Sequence, residues 1–259
     1  MGEADERLLG PGDPAPVEAL NPQGAASFLL VADHAGRRVP QKLGDLGLSE
    51  ADAARHIAWD IGVAALGEAL SNRLDATLIR QRYSRLVIDC NRDPARADAI
   101  PLDSDGTPIP ANAALSAQDR AARVTEVHAP YQAAIAAALA RRDAAGADTV
   151  VVALHSFTPV MNGFARPWHA GVLYGGGDER FARAALARLN AALDAPIGDN
   201  QPYAMDGIDY TVPQHCFAPE QSARRAYVEF EIRQDLLGDT AAIARWADIL
   251  GEVLRATPS

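Results

Sequence analysis

The chain has 259 residues, 48% of them hydrophobic and 22% charged, with a formal net charge of −10. That length bounds it to one large domain or two small ones with a substantial core. The acidity argues against nucleic acid as a partner, since phosphates select basic surfaces, but leaves room for a small anion that feels only local charge.

Residues 1–24 are acidic and rich in Pro and Gly, and lack the basic start and apolar core of a secretory signal. They read as an extended arm or mobile leader, with residues 25–259 as one domain. No stretch approaches the ~20 continuous apolar residues of a membrane span. Cys90 and Cys216 stand in no metal-binding spacing, so a disulfide framework is not expected and a cytoplasmic location is the plain inference.

Phe28–Ala32 is an apolar run fit for a buried strand, and it stops at Asp33-His34 before turning through Gly36. Asp and Gly favour turns. The same pair also stands where open α/β sheets gather their sites, at the carboxyl end of a strand. Ile57–Leu74 has helical spacing. Thr77–Ile79 and Leu86–Asp89 read as strands, the second running into Asn91-Arg92. Asp93–Ala114 has no periodicity and reads as a long loop near the site. Asp119–Arg142 is a long helical stretch with a basic end, interrupted at His128 and Pro130.

Thr149–Leu154 reads as a strand that delivers His155-Ser156, and Gly171–Tyr174 as another. The "YGGGDER" segment lacks the lysine and spacing of a P-loop, so it reads as a strand-to-helix turn. Glu179–Leu193 and Thr240–Leu254 have helical spacing. In Ala226–Ile232, Glu229 and Glu231 alternate with Val228, Phe230 and Ile232. That pattern fits an exposed edge strand, or an interior strand whose charges are paired or bind a cation. Strands alternating with helices predict a single α/β domain whose mixed, mostly parallel sheet is sandwiched by helices.

Two histidines at strand ends, a glutamate on a third strand and an Asn-Arg pair on a fourth supply metal ligands, a general base and an anion clamp. Imidazoles with a carboxylate and an open water position describe a catalytic zinc centre. Such a centre brings its water's pKa to about 7, and an adjacent glutamate can take and return the proton.

The motifs DHAG, HIAWDIG, YSRLVIDCNRDP, LHSF and FEIRQD resemble the N-formylglutamate amidohydrolase family, itself similar to the zinc carboxypeptidases. The resemblance runs from about Leu29 to Asp235. It implies a zinc peptidase (phosphorylase/hydrolase-like) fold and a zinc ion, or another divalent metal, held by His34 and His155. It further implies Glu231 as the catalytic glutamate and Asn91-Arg92 as the holders of the substrate's α-carboxylate. Tyr210 would match a mobile tyrosine that covers the substrate, and Ser156, beside His155, joins the substrate-binding set.

The carboxypeptidase pattern His-x-x-Glu is broken here, since Arg37 stands three residues after His34. Asp60 is the candidate third ligand, four residues after His56 and able to share a helical face with it. The alternative is that Asp60 caps a helix, and Asp33 is a further contender. Arg85 is either a second anion-binding group or the structural partner of Asp89. His169 and His215 read as loop residues.

The resemblance implies metal-assisted hydrolysis of a small anionic N-acyl amino acid, N-formylglutamate in the simplest case. Two alternatives stay open: the same chemistry on another N-acyl amino acid or short peptide, and a metal-free binding or regulatory protein that kept the pocket. Arg37 supports the last; Glu231 argues against it.

Overall fold

The computed structural model describes residues 7–217 and 225–258. In chain order its elements begin with β1 (Val17–Leu20), β2 (Phe28–Ala32), α1 (Glu50–Ala53), α2 (Val63–Leu74), β3 (Thr77–Gln81) and the small hairpin β4 (Asp103–Ser104) with β5 (Thr107–Pro108). There follow α3 (Ala117–Arg123), α4 (Ala129–Ala144), β6 (Val150–Phe157) and a second hairpin, β7 (Val160–Met161) with β8 (Phe164–Ala165). The chain closes with β9 (Ala170–Leu173), α5 (Arg180–Ala192), β10 (Ile197–Asp199), β11 (Tyr227–Arg233) and α6 (Thr240–Ala256).

Seven strands form one sheet in the order β1-β3-β2-β6-β11-β9-β10. The central four, β3, β2, β6 and β11, are parallel. β1 is an antiparallel edge, and β9 runs antiparallel to β11 with β10 parallel beside it. All eight residues of β6 are buried, as expected of a parallel strand covered on both faces. The α/β expectation is borne out. Among the described residues no helix is long and apolar enough to cross a membrane.

The two faces carry different loads. Leu78 and Leu154 lie against Gly67 of α2, and α2, α5 and α6 pack together on that side. Successive strand residues point to opposite faces, so Gln81 and His155 belong to the other side. There Gln81 Nε2 donates to the Val127 carbonyl just before α4. α4 packs on β3 and β1 and bonds the Phe28 carbonyl of β2 through Arg142, which leaves the ends of β6 and β11 to be covered by loops. That gap in helical cover is where the cavity forms.

Four readings of the sequence change. Leu86–Asp89 is not a strand: Ser84 accepts from the Leu86 N–H, the Val87 N–H returns to the Ser84 carbonyl, and the apolar side chains bury in a second cluster. An apolar run of that length is satisfied equally by a buried turn. The helix expected from Ile57 begins only at Val63, because Gly62 caps it at φ +87° and the Asp60 N–H donates to the His34 carbonyl instead. His56 and Asp60 therefore share no helical face. The break expected near His128 is a π-helical turn, Val124–His128, that joins α3 to α4 without interrupting the rod. Within the leading arm, Val17–Leu20 pair with β3 and so are held to the sheet.

Candidate active site

Four stretches far apart in sequence converge at the carboxyl ends of the central strands. Asp33 and His34 lie just past β2, so strand alternation no longer separates them. Their turn passes Gly36 against residue 82, where a Cβ would fall 2.1 Å from the Arg82 carbonyl; only glycine allows that approach. The Asp60 N–H, at 2.9 Å from the His34 carbonyl, ties the loop before α2 to the same turn. His155 stands near the end of β6, and parallel register places Glu231 of β11 beside it. β11 is interior, between β6 and β9, so its carboxyls are not explained by an exposed edge.

One carboxylate oxygen organises the centre. Asp60 Oδ2 lies 3.0 Å from His155 Nδ1 and 3.5 Å from His34 Nδ1. The far nitrogens face other carboxylates: His34 Nε2 donates to Asp89 Oδ1 at 2.7 Å, and His155 Nε2 lies 3.3 Å from Asp33 Oδ2. Asp33 is itself held by the Thr211 hydroxyl at 2.7 Å. Arg85 donates to Asp89 at 2.7 Å and reaches Asp60 Oδ1 at 3.5 Å. All of these groups except Arg85 are buried.

The electrostatics follow from that crowding. Burial would lower His155, but Glu229, the neighbouring Asp33 carboxylate and the hydrogen bond to Asp60 raise it well above the ordinary imidazole value. Burial would raise Asp60, yet the two imidazoles hold it below the usual carboxylate range. Burial lifts Glu231 to about 8, against the lowering pull of His155.

Donor chemistry fits a divalent cation. His34, Asp60 and His155 each offer one ligand atom, and these lie within 4.8 Å of one another. Asp33, Asp60 and Asp89 bring three negative charges to a cluster in which, among the described residues, Arg85 is the one arginine bonded to any of them. His34 Nδ1 and Glu231 Oε2 are buried without a hydrogen-bond partner, a state that native interiors rarely leave unexplained. An imidazole presenting one nitrogen to a shared point while a carboxylate fixes the other is the arrangement that orients metal-binding histidines.

The cluster opens into a cavity of about 510 Å³. Asp98, Pro101 and Ser104 from the aperiodic 93–114 segment line it, as that segment's reading proposed, and Tyr203 and Asp209 line it from the segment after β10. Arg92 also faces the cavity, with Asp209 at 3.8 Å and Asp98 at 3.9 Å.

Asn91 is largely committed elsewhere. Its Oδ1 accepts from the Tyr210 and Thr211 N–H groups and its Nδ2 donates to Asp209, leaving one N–H for a ligand. Ser156 lines the cavity, but its hydroxyl donates to the Ile61 carbonyl and its N–H to Asp60. Tyr210 does not line the cavity; its ring packs on His128 with centroids 5.4 Å apart. Tyr203 is the tyrosine in the wall, and no local pattern marked it in the sequence.

Remaining candidates fall outside the cluster. Arg37 is exposed and sits over the Trp59 ring at 5.2 Å, so it does not occupy a ligand position. His56 lines the cavity and lies 3.4 Å from Asp105. His128 bonds the Arg92 carbonyl, and His215, in a π-helical turn rather than a loop, bonds Gln132 at 2.7 Å.

Comparison with known proteins matches residues 26–237 to the family described as N-formylglutamate amidohydrolase. Among solved structures, gene product Atu2144 from Agrobacterium tumefaciens is 37% identical with a TM-score of 0.90, over 96% of this chain and 97% of that one. N-formylglutamate amidohydrolase from Ralstonia eutropha is 21% identical with a TM-score of 0.65, over 93% and 97% of the two chains, a likeness of fold. No curated protein matches the sequence.

Proposed function

The chain belongs to the N-formylglutamate amidohydrolase family, and from that premise we propose that it hydrolyses the amide bond of a small N-acyl amino acid, N-formylglutamate first among them, to formate and glutamate. The observation that carries the reading is the convergence of the His34, Asp60 and His155 donors beside the unpartnered Glu231 carboxyl in one cavity.

His34, Asp60 and His155 would hold the metal, zinc by the resemblance. When bound, it would supply a Lewis acid for the acyl oxygen and lower the pKa of water. Asp89 holds the outer nitrogen of His34 by a hydrogen bond, and Asp33 faces that of His155 at 3.3 Å, so each imidazole keeps its other nitrogen turned inward. Glu231 takes a proton from the attacking water as the carbon–oxygen bond forms, and gives it to the nitrogen as the carbon–nitrogen bond breaks. Burial favours its protonated form, and a nearby divalent charge favours the ionised one. These opposing effects suit a group that must do both. Arg92 grips the α-carboxylate, for which the planar guanidinium is adapted.

The test is elemental analysis of the purified protein followed by an assay for amine released from N-formylglutamate and a panel of other N-acyl amino acids. One divalent metal per chain with release of glutamate is the expected result. Metal-loaded protein that releases no amine from any member of the panel would sink the proposal.

A further inference from the structure

Two arginines, Arg85 and Arg92, line the cavity, and a third, Arg166, packs against its lining residues Met161 and Tyr203; the three differ in how their charge is met. Arg85 is taken up by Asp89 at 2.7 Å and Asp60 at 3.5 Å. Arg92 has Asp209 and Asp98 at 3.8 and 3.9 Å. Arg166, at the end of the β7–β8 hairpin, has no carboxylate partner among the described residues and is only 8% exposed. Its Nη1 donates to the Tyr203 hydroxyl at 3.0 Å and the Thr158 carbonyl at 3.5 Å, and its Nη2 donates to Met161 Sδ at 2.9 Å. The guanidinium also lies over the rings of Tyr203 and Phe157, at 4.8 and 5.7 Å.

Neutral acceptors and ring faces satisfy geometry without neutralising charge. Buried charges are otherwise paired, because the low-dielectric surroundings penalise a lone ion. Here two good donors, Arg166 Nη2 and the Tyr203 hydroxyl, both turn to the Met161 sulfur, the latter at 3.9 Å. A thioether is a weak acceptor. Met161 and Tyr203 both line the cavity, and Arg166, which does not itself line it, bonds both of them.

We infer that Arg166, acting with the Tyr203 hydroxyl, receives the side-chain carboxylate of a dicarboxylic N-acyl amino acid and so determines substrate specificity. The carboxylate displaces the Met161 sulfur, accepting from Arg166 Nη2 and from the Tyr203 hydroxyl, whose oxygen already accepts from Nη1. The inference rests on the amidohydrolase reading for the bond that is broken, but not for the recognition. It gives a protein of net charge −10 two separate local cations, Arg92 and Arg166, for a doubly charged substrate.

Turnover and binding test the two levels separately. Kinetics use N-formyl-L-glutamate, N-formyl-L-glutamine and the α-amide of N-formyl-L-glutamate. Wild type should prefer the first over the second by about 30-fold or more in kcat/KM, the scale of losing one partner of a buried charge pair. Arg166→Met should collapse that ratio while leaving the preference over the α-amide in place, and Arg166→Lys should restore it in part.

Calorimetric binding of the same ligands is measured in a Glu231→Gln background with and without Arg166→Met. If wild type hydrolyses none of the three, N-formylglutamate falls as the substrate, and the calorimetric glutamate-to-glutamine ratio still decides the role of Arg166. A ratio near one with Arg166 present overturns the inference even if Arg166→Met does not fold. So does a folded Arg166→Met that keeps the full ratio, or one that loses the α-amide preference instead.

Discussion

His34 Nε2 donates to Asp89 Oδ1 at 2.7 Å, and the two residues are 55 positions apart in sequence. The bond leaves His34 Nδ1 as the nitrogen that faces Asp60 Oδ2. Carboxylates of this kind typically contribute about 10–100-fold in metal affinity. Asp89→Asn, which keeps the volume but loses the charge, should weaken zinc binding by about that factor in a competition titration with a chromogenic chelator. Unchanged affinity in a folded variant would show that Asp89 serves Arg85 alone, to which it also bonds at 2.7 Å.

The third ligand separates from its sequence neighbour. Asp60→Ala should strip most metal from the dialysed protein, as should His34→Ala and His155→Ala, because each removes one of three donors. His56→Ala should keep full metal content, since His56 faces Asp105 rather than the cluster. Mass spectrometry of the metal in each dialysed variant decides the point, and full occupancy in Asp60→Ala would remove that ligand.

Glu231→Gln retains shape and hydrogen-bonding capacity but cannot carry the proton. Metal content should be unchanged while kcat falls by ~10²–10⁴-fold, the usual scale for general acid–base groups. An unaltered kcat would assign the proton transfers to another group, with the adjacent buried Glu229 next to be tested.

Glu18 links the edge strand to the sheet and gives a pH prediction. Its two oxygens lie 2.6 Å from Arg82 Nη2 and Arg80 Nη2, and the arginines hold the carboxyl below its ordinary value of 4.5. A depressed folded pKa stabilises above the unfolded value and is lost as pH falls through the folded one. Glu18→Gln should therefore cost about 1 kcal/mol or less at neutral pH, given the partial exposure of the pair. Denaturant midpoints of variant and wild type should converge below pH 4.5. A difference that persists under acid would mean that Glu18 acts through packing instead.

Much of this architecture was legible because buried parallel strands write themselves as apolar runs. Phe28–Ala32 appears with the bounds expected, and Thr149–Leu154 overlaps the first part, Val150–Leu154, of the longer β6. The alternation of Glu229 and Glu231 with apolar neighbours marked one face of β11 correctly, although periodicity alone left its place in the sheet open. Leu86–Asp89 failed because a short apolar run specifies burial and not backbone pairing. Tyr203 and Arg166 carry no periodic or motif signal, since loops place them. Asp33, a contender beside His34, can join the same cluster because the strand, and with it the alternation that turns neighbours to opposite faces, ends at Ala32.

The last prediction concerns Arg92, whose nearest carboxylates, at 3.8 and 3.9 Å, lie well beyond hydrogen-bond length. A guanidinium so loosely met is available to a tighter partner, and the α-carboxylate of an N-acyl amino acid fits it bidentately. Wild type should cleave the acid better than its α-carboxamide by about 30-fold or more, because the amide leaves the charge unpaired, a loss of ~2–5 kcal/mol. Arg92→Ala should flatten that ratio, and Arg92→Lys should recover only part of it, since an ammonium lacks the fork. If Arg92 instead serves to hold Asp98 and Asp209 together, Arg92→Ala would lower the unfolding midpoint and leave the ratio intact. Comparing the two substrates in wild type and variant, with a denaturation curve for each protein, separates these outcomes.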